Sequence, residues 1–584
     1  MITAFDSETQ DGYAILLTKP WSFAEPRSFE DCVDFLETDK ETACFNADYD
    51  VQAVIKYLPR EVRNRLGTLN EATYKDYRIR YIPHKFCRIW RRAFATDQWR
   101  VLVTIYDMRQ FYNCSLRKAA EKLGVAAKGT IPQSWYRQMR RKLNDPKTRS
   151  RVLEYALQDA QTLQAIIRKT EEAFTFAGLK FERPFSNASF AERYFRKRFR
   201  YRRNFAVEAF AEKAYHGGRI ECLQTGYFRK AYHYDLHSAY PSVIANLIKP
   251  DGEWIYENKP EAIRPDATYA FVDCECHVPR NAHIGPIPFR RRNGNILFPT
   301  GNFRKTITLG EYRYLEEKRW ITKIYSAWSH IWPKWTRPFS EIADLYKRRK
   351  RDARLDYSLK IVSNSVYGKL AQVIETWIRT NRVDANAEIF DDRVFRRKKT
   401  WKGHTSFVYA SVITAGIRLK LLEDIPPEKV ICYATDGVFT TEPIRGLKTG
   451  NGLGEWSEVE EVRDLIVVGS GVYSYRETPF RTKGKTVVRF RGFNPEMDLP
   501  HLLKRAGRRH FISLKVLRNT SLKLAAKGPQ WEDRLNVLEE HKRYLDVNFD
   551  HKRKWEKRWN AGELTRRRFT SRPLVYWGKV RVKR

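Results

Sequence analysis

The chain has no run of 18 or more apolar residues, which argues against a membrane-spanning helix. Its start, Met1-Ile2-Thr3-Ala4-Phe5-Asp6, carries acid where a secretory leader carries base and then a long apolar stretch. Cysteine is sparse, 8 in 584 residues, and no C-x-x-C occurs, so a disulfide framework is not expected. Cys274-x-Cys276-His277 is half a metal site without a second half, and alternate cysteines simply share one strand face. A reduced, cytosolic interior fits best. Internal repeats and low-complexity linkers are absent. Acid is scarce relative to base: 69 Asp and Glu against 109 Lys and Arg, a formal net charge of +40. Such an excess repels itself unless a polyanion neutralises it, and nucleic acid leads an anionic membrane surface as that partner.

What remains is globular, with 42% apolar, 14% aromatic and 30% charged residues. The length suits about two to four folded units. Base is densest at Arg193 to Arg203 (RYFRKRFRYRR), at Lys347 to Arg351, and at residues 552–584, with 13 Lys or Arg against two Glu. Aromatics interleave the first and third patches, a pattern for phosphate neutralisation plus base stacking, with a solvated basic face as the alternative. Residues 1–170 alternate strand and helix patterns. Residues 151–169 predict an amphipathic helix, with Leu153, Leu157, Ala160, Leu163 and Ile167 near helical spacing. Residues 187–205 read as a basic bridge, 231–236 as a strand, and 338–372 as a long helical stretch. Residues 430–441 read as a hairpin turning at Asp436-Gly437. The pattern predicts an N-terminal α/β domain and a larger α+β domain.

Two sets of residues carry chemistry. In the first, Asp6 and Glu8 sit at i and i+2 of a strand and point to one face. Asn46 and Asp50 lie four apart, as do Tyr155 and Asp159 on a helix. Asp6, Glu8, Asp50 and Asp159 could hold two Mg²⁺ ions about 4 Å apart for phosphodiester hydrolysis, with Tyr155 orienting a water. The bland alternative is surface acids and a packing tyrosine. In the second set, Asp235 ends an apolar strand just before Tyr240. Lys360, Asn364 and Tyr367 fall on one helical face ahead of Gly368. Asp436 stands at a hairpin tip, although Asp-Gly alone is a common turn signal. Two convergent carboxylates with a lysine for a triphosphate make a nucleotide-transfer site.

In order and spacing these motifs resemble the protein-primed family B DNA polymerases of small phages, viruses and linear plasmids, over nearly all 584 residues. The resemblance implies multidomain α/β and α+β architecture: a ribonuclease H-like 3′–5′ exonuclease domain, then a right-hand polymerase of palm, fingers and thumb with two insertions. Its boundaries are exonuclease 1–185, link and first palm part 186–284, insertion 285–335 (terminal-protein contact), fingers 336–372, insertion 373–407 (processivity and strand displacement), second palm part 408–504, and basic thumb and tail 505–584. Asp6, Glu8, Asn46, Asp50, Tyr155 and Asp159 match the exonuclease motifs, and Lys128 is similar to a family lysine. Tyr215, Gly217 and Gly218 look like the Tyr-x-Gly-Gly link that contacts template. Asp235, Ser238 and Tyr240 match the first polymerase motif, with Tyr240 as the gate against ribose. Lys360, Asn364, Tyr367 and Gly368 match the fingers motif, and Arg348 aligns with a triphosphate-binding lysine.

There are two departures. Asp-Thr-Asp reads Ala434-Thr435-Asp436, and the primer-steadying Lys-x-Tyr reads Gly471-Val472-Tyr473. Lys483, Lys485, Arg489 and Arg491 are candidates to replace the lost lysine at DNA. The implied cofactor is Mg²⁺, two ions per site, with Mn²⁺ as a substitute. Implied partners are template and primer DNA, dNTPs and a terminal protein, for a monomer in the host-cell cytoplasm. Two alternatives stay open: an exonuclease or DNA-binding scaffold with a decayed polymerase site, and use of ribonucleotides or an RNA template.

Overall fold

The structure is a computed structural model that describes residues 2–93, 96–126, 129–291, 293–381, 383, 387–390, 393–477, 485–491 and 498–576. Lys128 and Lys483 lie outside the described residues.

The N-terminal unit is built on a six-stranded mixed sheet in the order Thr3–Ala4, Glu41–Cys44, Trp99–Asp107, Phe86–Arg92, Tyr77–Ile82, Glu71–Tyr74. After Phe5 the chain enters a second, three-stranded sheet at Asp6–Gln10. The expected amphipathic helix runs further than its periodicity, Pro146–Phe176, 31 residues. Asp145 caps it by accepting from Lys147 N, and Pro146 opens its first turn. Ala160, Leu163 and Ile167 of the expected stripe are buried, and the burial departs from it only in the first turns. Val152, Tyr155, Ala156, Asp159 and Leu163 are buried, while Leu153 and Leu157 are only half-buried. The helix therefore presents Tyr155 and Asp159 inward.

The larger unit centres on a nine-stranded sheet. Its main path is Arg219–Cys222, Val430–Thr435, Gly437–Thr440, Gln224–Asp235, Glu460–Gly469, Val472–Glu477, Thr486–Phe490. The expected hairpin is present, and its tip lies beside the end of the Asp235 strand, with Asp235 opposite Gly437. The helix Phe407–Asp424 packs its apolar residues in the adjoining cores. The 338–372 stretch resolves into two helices, Glu341–Arg351 and Ala353–Leu370, broken at Asp352, whose carboxylate caps the second.

Two further sheets flank this core. One joins Glu253–Asn258, Ile321–Ile331, Tyr269–Val278, Thr300–Thr308 and Val575–Tyr576. It begins at Glu253, so the expected boundary at 285 falls inside it. The other joins Val373–Thr380, Arg393–Trp401 and Ala387–Phe390, within the span 373–407. The C-terminal stretch, expected as a basic thumb and tail, also ties into the other sheets. Arg568–Pro573 pairs with the Asp235 strand, and a fully buried network, Arg219–Glu221 at 2.8 Å and Arg553–Glu221 at 3.0 Å, ties it to the central sheet. Leu522, Ala525 and Leu535 pack in the N-terminal unit's core, and Lys56 Nζ donates to the carbonyls of Asp533 and Leu535.

The interleaved aromatics of the basic patches have a structural role. Phe195, Phe199, Trp559 and Phe569 are buried, while Arg196, Lys197, Arg200 and Arg568 are exposed. Alternation there reflects ring-in, base-out packing rather than base stacking. Residues 187–205 are partly helical, with Asn187–Tyr194 packed against the Ala353–Leu370 helix. Cys274 and Cys276 lie on one strand with sulfurs 3.8 Å apart. No helix among the described residues is long and apolar enough to cross a membrane.

Candidate functional site

The first site forms where the Asp6 strand meets the Pro146–Phe176 helix. Ligand-capable oxygens of Asp6, Glu8 and Asp159 all lie within 4.8 Å of one another, the one such group among the described residues. Period two on the strand supplies Asp6 and Glu8, and the inward helix face supplies Asp159. Asp50 is 3% exposed and accepts from Ser7 Oγ at 2.8 Å, so its position is set from the Asp6 strand. Tyr155 joins the acids. Burial first, then the charges of Glu8 and Asp159, raise its hydroxyl pKa, and Tyr136 lies 3.1 Å from its oxygen. Asn46 accepts from Arg109 Nη1 at 3.1 Å. Three crowded acids of one sign, partly out of water, fit the donor set of a hard divalent cation.

The second site gathers four separate stretches of chain. Asp436 and Asp235 meet at the hairpin tip. Burial, then the Asp235 charge, pushes Asp436 up to about 6. Asp235 is raised by burial too, against the pull of His233, His237 and Lys360. Asp235 is exposed and Asp436 half-buried, and a like-charged pair of this kind also fits a cation. Thr435, between Ala434 and Asp436, holds φ +72°, a strained value for a β-branched residue. Lys360 and Asn364 are exposed on the Ala353–Leu370 helix, and Tyr367 is half-buried below them. Tyr367 stacks on Tyr240 with ring centroids 4.7 Å apart at 29°. Its hydroxyl lies 2.6 Å from that of Tyr215. The link is held from behind, because Arg418 Nη1 donates to the carbonyls of His216 and Gly217 at 2.9 Å each. Burial, then the Asp436 charge, pushes Tyr240 up to about 12.

The arginine that reaches this site is Arg349. Its Nη1 lies 3.4 Å from Ser238 Oγ, its Nε 2.8 Å from Asp356 Oδ1, and its guanidinium stacks over Tyr346 at 5.0 Å. Arg348, the expected residue, is exposed and lies toward Tyr194. Adjacent helical positions differ by about 100° in direction, so only one of them can face the site. The run Lys347 to Arg351 hides this choice from sequence alone.

Tyr473 lies opposite Arg489, which hydrogen-bonds its hydroxyl, and Asp235 is close enough to perturb it. Gly471 has φ +77° in the turn between Glu460–Gly469 and Val472–Glu477. A lysine there would be strained, which accounts for its loss on backbone grounds. Arg491 takes up the adjoining space, its N donating to Gly471 O at 3.0 Å. Lys485 lies at the opposite end of the Val472–Glu477 strand, its carbonyl accepting from Glu477 N, away from Tyr473. Ser7, Arg109, Tyr136, His233 and Arg349 enter the two sites without any sequence motif. Only His233 has a legible signal, its alternate spacing with Asp235 on one strand.

The family described as DNA polymerase type B, organellar and viral, matches residues 31–409. A DNA polymerase of Acidianus bottle-shaped virus is 24% identical over 317 residues, covering 50% of this chain and 42% of its own length. The primer-independent DNA polymerase PolB of Escherichia coli is 24% identical over 330 residues, covering 50% and 36%. The matched stretch is thus less than half the length of either relative. Among solved structures, phi29 DNA polymerase in an orthorhombic crystal form aligns with TM-score 0.69 at 13% identity, over 94% of this chain and 100% of that one. Phi29 DNA polymerase complexed with primer-template DNA and incoming nucleotides aligns at 0.65, also 13% identical, over the same shares. The likeness shows the fold: a multidomain assembly of mixed sheets and helices, with an α/β unit followed by a larger α+β unit. The chain belongs to the organellar and viral type B DNA polymerases.

Proposed function

We propose that the chain is a template-directed DNA polymerase that also degrades DNA from the 3′ end and replicates a small phage, virus or plasmid genome. The observation that carries the reading is convergence. Asp235, Asp436, Tyr240, Lys360 and Tyr367 come from stretches up to 201 positions apart in number, yet the Asp235–Gly437 pairing, the Tyr240–Tyr367 stack and the charge effects of Lys360 on Asp235 and of Asp436 on Tyr240 all support one common locus.

In this reading Asp235 and Asp436 would hold divalent cations, Mg²⁺ or Mn²⁺, whose charge would supply phosphate neutralisation and lower the pKa of the attacking hydroxyl. The chain's own groups position the reactants. Lys360 and Arg349 offer point and forked charges to a triphosphate. Asn364 and Tyr367 present a polar edge and a flat ring to the nascent pair, and Tyr240 crowds the C2′ position. Tyr215, Gly217 and Gly218 face template, while Tyr473, Arg489 and Arg491 steady the primer end. Asp6, Glu8 and Asp159, with Asp50 beside them, hold cations for hydrolysis, and Tyr155 orients the water. A terminal protein as primer donor, with the sheets at Glu253–Ile331 and Val373–Trp401 as insertions, belongs to the same reading, as do a monomeric state and the host cytoplasm.

Ala434 favours a second reading, a degrading enzyme with a silent polymerase site. A 5′-labelled primer on a longer template, with Mg²⁺, separates the two. Extension with dNTPs and shortening without them supports the first; shortening alone supports the second. Asp436→Ala should abolish extension and spare shortening, and Asp6→Ala should do the reverse. Normal extension by Asp436→Ala, or normal shortening by Asp6→Ala, removes that residue from its site.

A further inference from the structure

The strand Ile321–Ile331 runs into Trp332-Pro333-Lys334-Trp335-Thr336-Arg337-Pro338, which leads to the helix Glu341–Arg351. Trp332 and Trp335 are 70% and 68% exposed, although Trp456 and Trp559 are fully buried. Indole is the largest apolar side chain, so leaving two in water three positions apart forgoes substantial burial.

This exposure is imposed by the backbone. Ile331 and Phe339, on either side, are both 0% exposed and anchor the segment. Lys249 N donates to Thr336 O at 2.8 Å, and Lys334 N to Asp251 Oδ1 at 3.4 Å. Trp332 and Trp335 take φ +49° and +54°, a region that bulky residues rarely enter. Pro333 restricts Trp332 further. Backbone strain of this kind persists only where the surroundings enforce it, and it concentrates at binding surfaces. The backbone that carries the two rings is thus held in place, so little backbone freedom remains to be lost on binding.

The charge around them narrows the partner. Lys334 and Arg337 are exposed, residues 332–340 contain no acid, and the chain carries +40 overall. Further up the same sheet, Tyr256 is 51% exposed and lies 5.2 Å from Trp328 on the paired strand. Flat rings beside cations suit unstacked bases joined by phosphates, whereas a duplex keeps its base faces covered.

We propose that Trp332 and Trp335, with Lys334 and Arg337, form a stacking platform for single-stranded DNA. The proposal uses no residue of either acidic cluster, so it stands or falls apart from the polymerase reading.

The test uses full-length protein, a 5′-fluorescein oligothymidylate, and a blunt duplex of the same length, read by fluorescence anisotropy. Trp332→Ala/Trp335→Ala should bind the single strand more weakly by about thirtyfold or more, as loss of two stacking contacts requires. Duplex affinity should change less than about twofold, and Trp332→Phe/Trp335→Phe should retain most single-strand affinity. Unchanged single-strand affinity overturns the proposal and points to a protein occupant. Equal losses on both probes overturn it too, because they mark general electrostatics or a damaged fold; thermal melting of the same samples tells those two apart. Independently, an oligothymidylate carrying 5-iododeoxyuridine should photocrosslink to wild-type protein at Trp332 or Trp335. Crosslinks confined to other residues contradict the platform.

Discussion

The hydroxyls of Tyr215 and Tyr367 lie 2.6 Å apart, joining the link after the N-terminal unit to the polar face of the Ala353–Leu370 helix. Tyr367 also stacks on Tyr240, beside Asp436. One hydrogen bond and one ring contact therefore connect the link to the proposed nucleotide-transfer site. Tyr215→Phe should weaken this coupling by about 1 kcal/mol, the usual net worth of such a bond. Extension should fall several-fold while degradation of single strands holds. Tyr367→Phe should match it, and the double variant should be no worse than either single one. Fully additive losses in that double-mutant cycle would show that the two hydroxyls act separately.

Arg349 and Arg348 make a sharper pair. Arg349 is fixed by Asp356 and Tyr346 and reaches Ser238, so its guanidinium is placed before any nucleotide arrives. Arg349→Ala should raise the dNTP KM roughly tenfold or more, since charge-assisted contacts contribute about 1.5–3 kcal/mol. Arg348→Ala should stay near wild type. Steady-state extension at varied dNTP decides, and the reverse ranking would restore Arg348.

Asp107 carries a pH signature in the N-terminal unit. It is 1% exposed, and burial pushes it up to about 6, although Arg109 N and Ala47 N donate to it. Its folded value lies above the ordinary carboxylate value, so the folded state keeps this proton longer than the unfolded chain does. Its contribution is therefore most favourable at low pH and is lost as pH rises from about 4 to about 6. Above that window the buried carboxylate costs on the order of 2–3 kcal/mol. Asp107→Asn should flatten this part of the stability profile, measured by denaturant midpoints between pH 4 and 7. An unchanged slope would show that Asp107 ionises normally.

Local periodicity explains what was legible in the sequence. Asp6 and Glu8 share a strand face, and Lys360, Asn364 and Tyr367 a helix face, because each set lies within one element. The Asp436 hairpin was likewise readable from its turn. Arg349 was not, because the break at Asp352 resets the helical phase between Lys360 and the basic run. The stripe on Pro146–Phe176 holds at Ala160, Leu163 and Ile167 and departs at its start for a related reason: Tyr155 and Asp159 read as polar, yet they are buried while Leu153 and Leu157 are left half-buried. Rings in the basic patches mimicked a stacking surface, because amphipathic packing and nucleic-acid binding write the same alternation. Conversely, Trp332 and Trp335 stand out only once their exposure and positive φ are known.

Gly218 tests whether the link, the first polymerase motif and the Asp436 hairpin are packed as one body. A Cβ at this position would lie 2.8 Å from Thr435 Cγ2 and 2.8 Å from the Tyr240 hydroxyl. Neither neighbour can yield easily. Thr435 already holds φ +72° next to Asp436, and the Tyr240 ring is stacked against Tyr367. Relief must come from rotating the hairpin tip or lifting Tyr240, and either displaces a group assigned to nucleotide transfer. Overpacking of this kind costs about 1–3 kcal/mol. Gly218→Ala should accordingly cut extension by about ten- to a hundredfold, at 1.4 kcal/mol per factor of ten. Degradation from the Asp6 cluster should be spared, because its acids belong to another sheet and helix. Adding Thr435→Ser, which removes the clashing methyl, should recover part of the loss. Wild-type extension by Gly218→Ala alone, at unchanged melting temperature, would mean that the link and the hairpin are free to move apart and that the close packing carries no catalytic consequence.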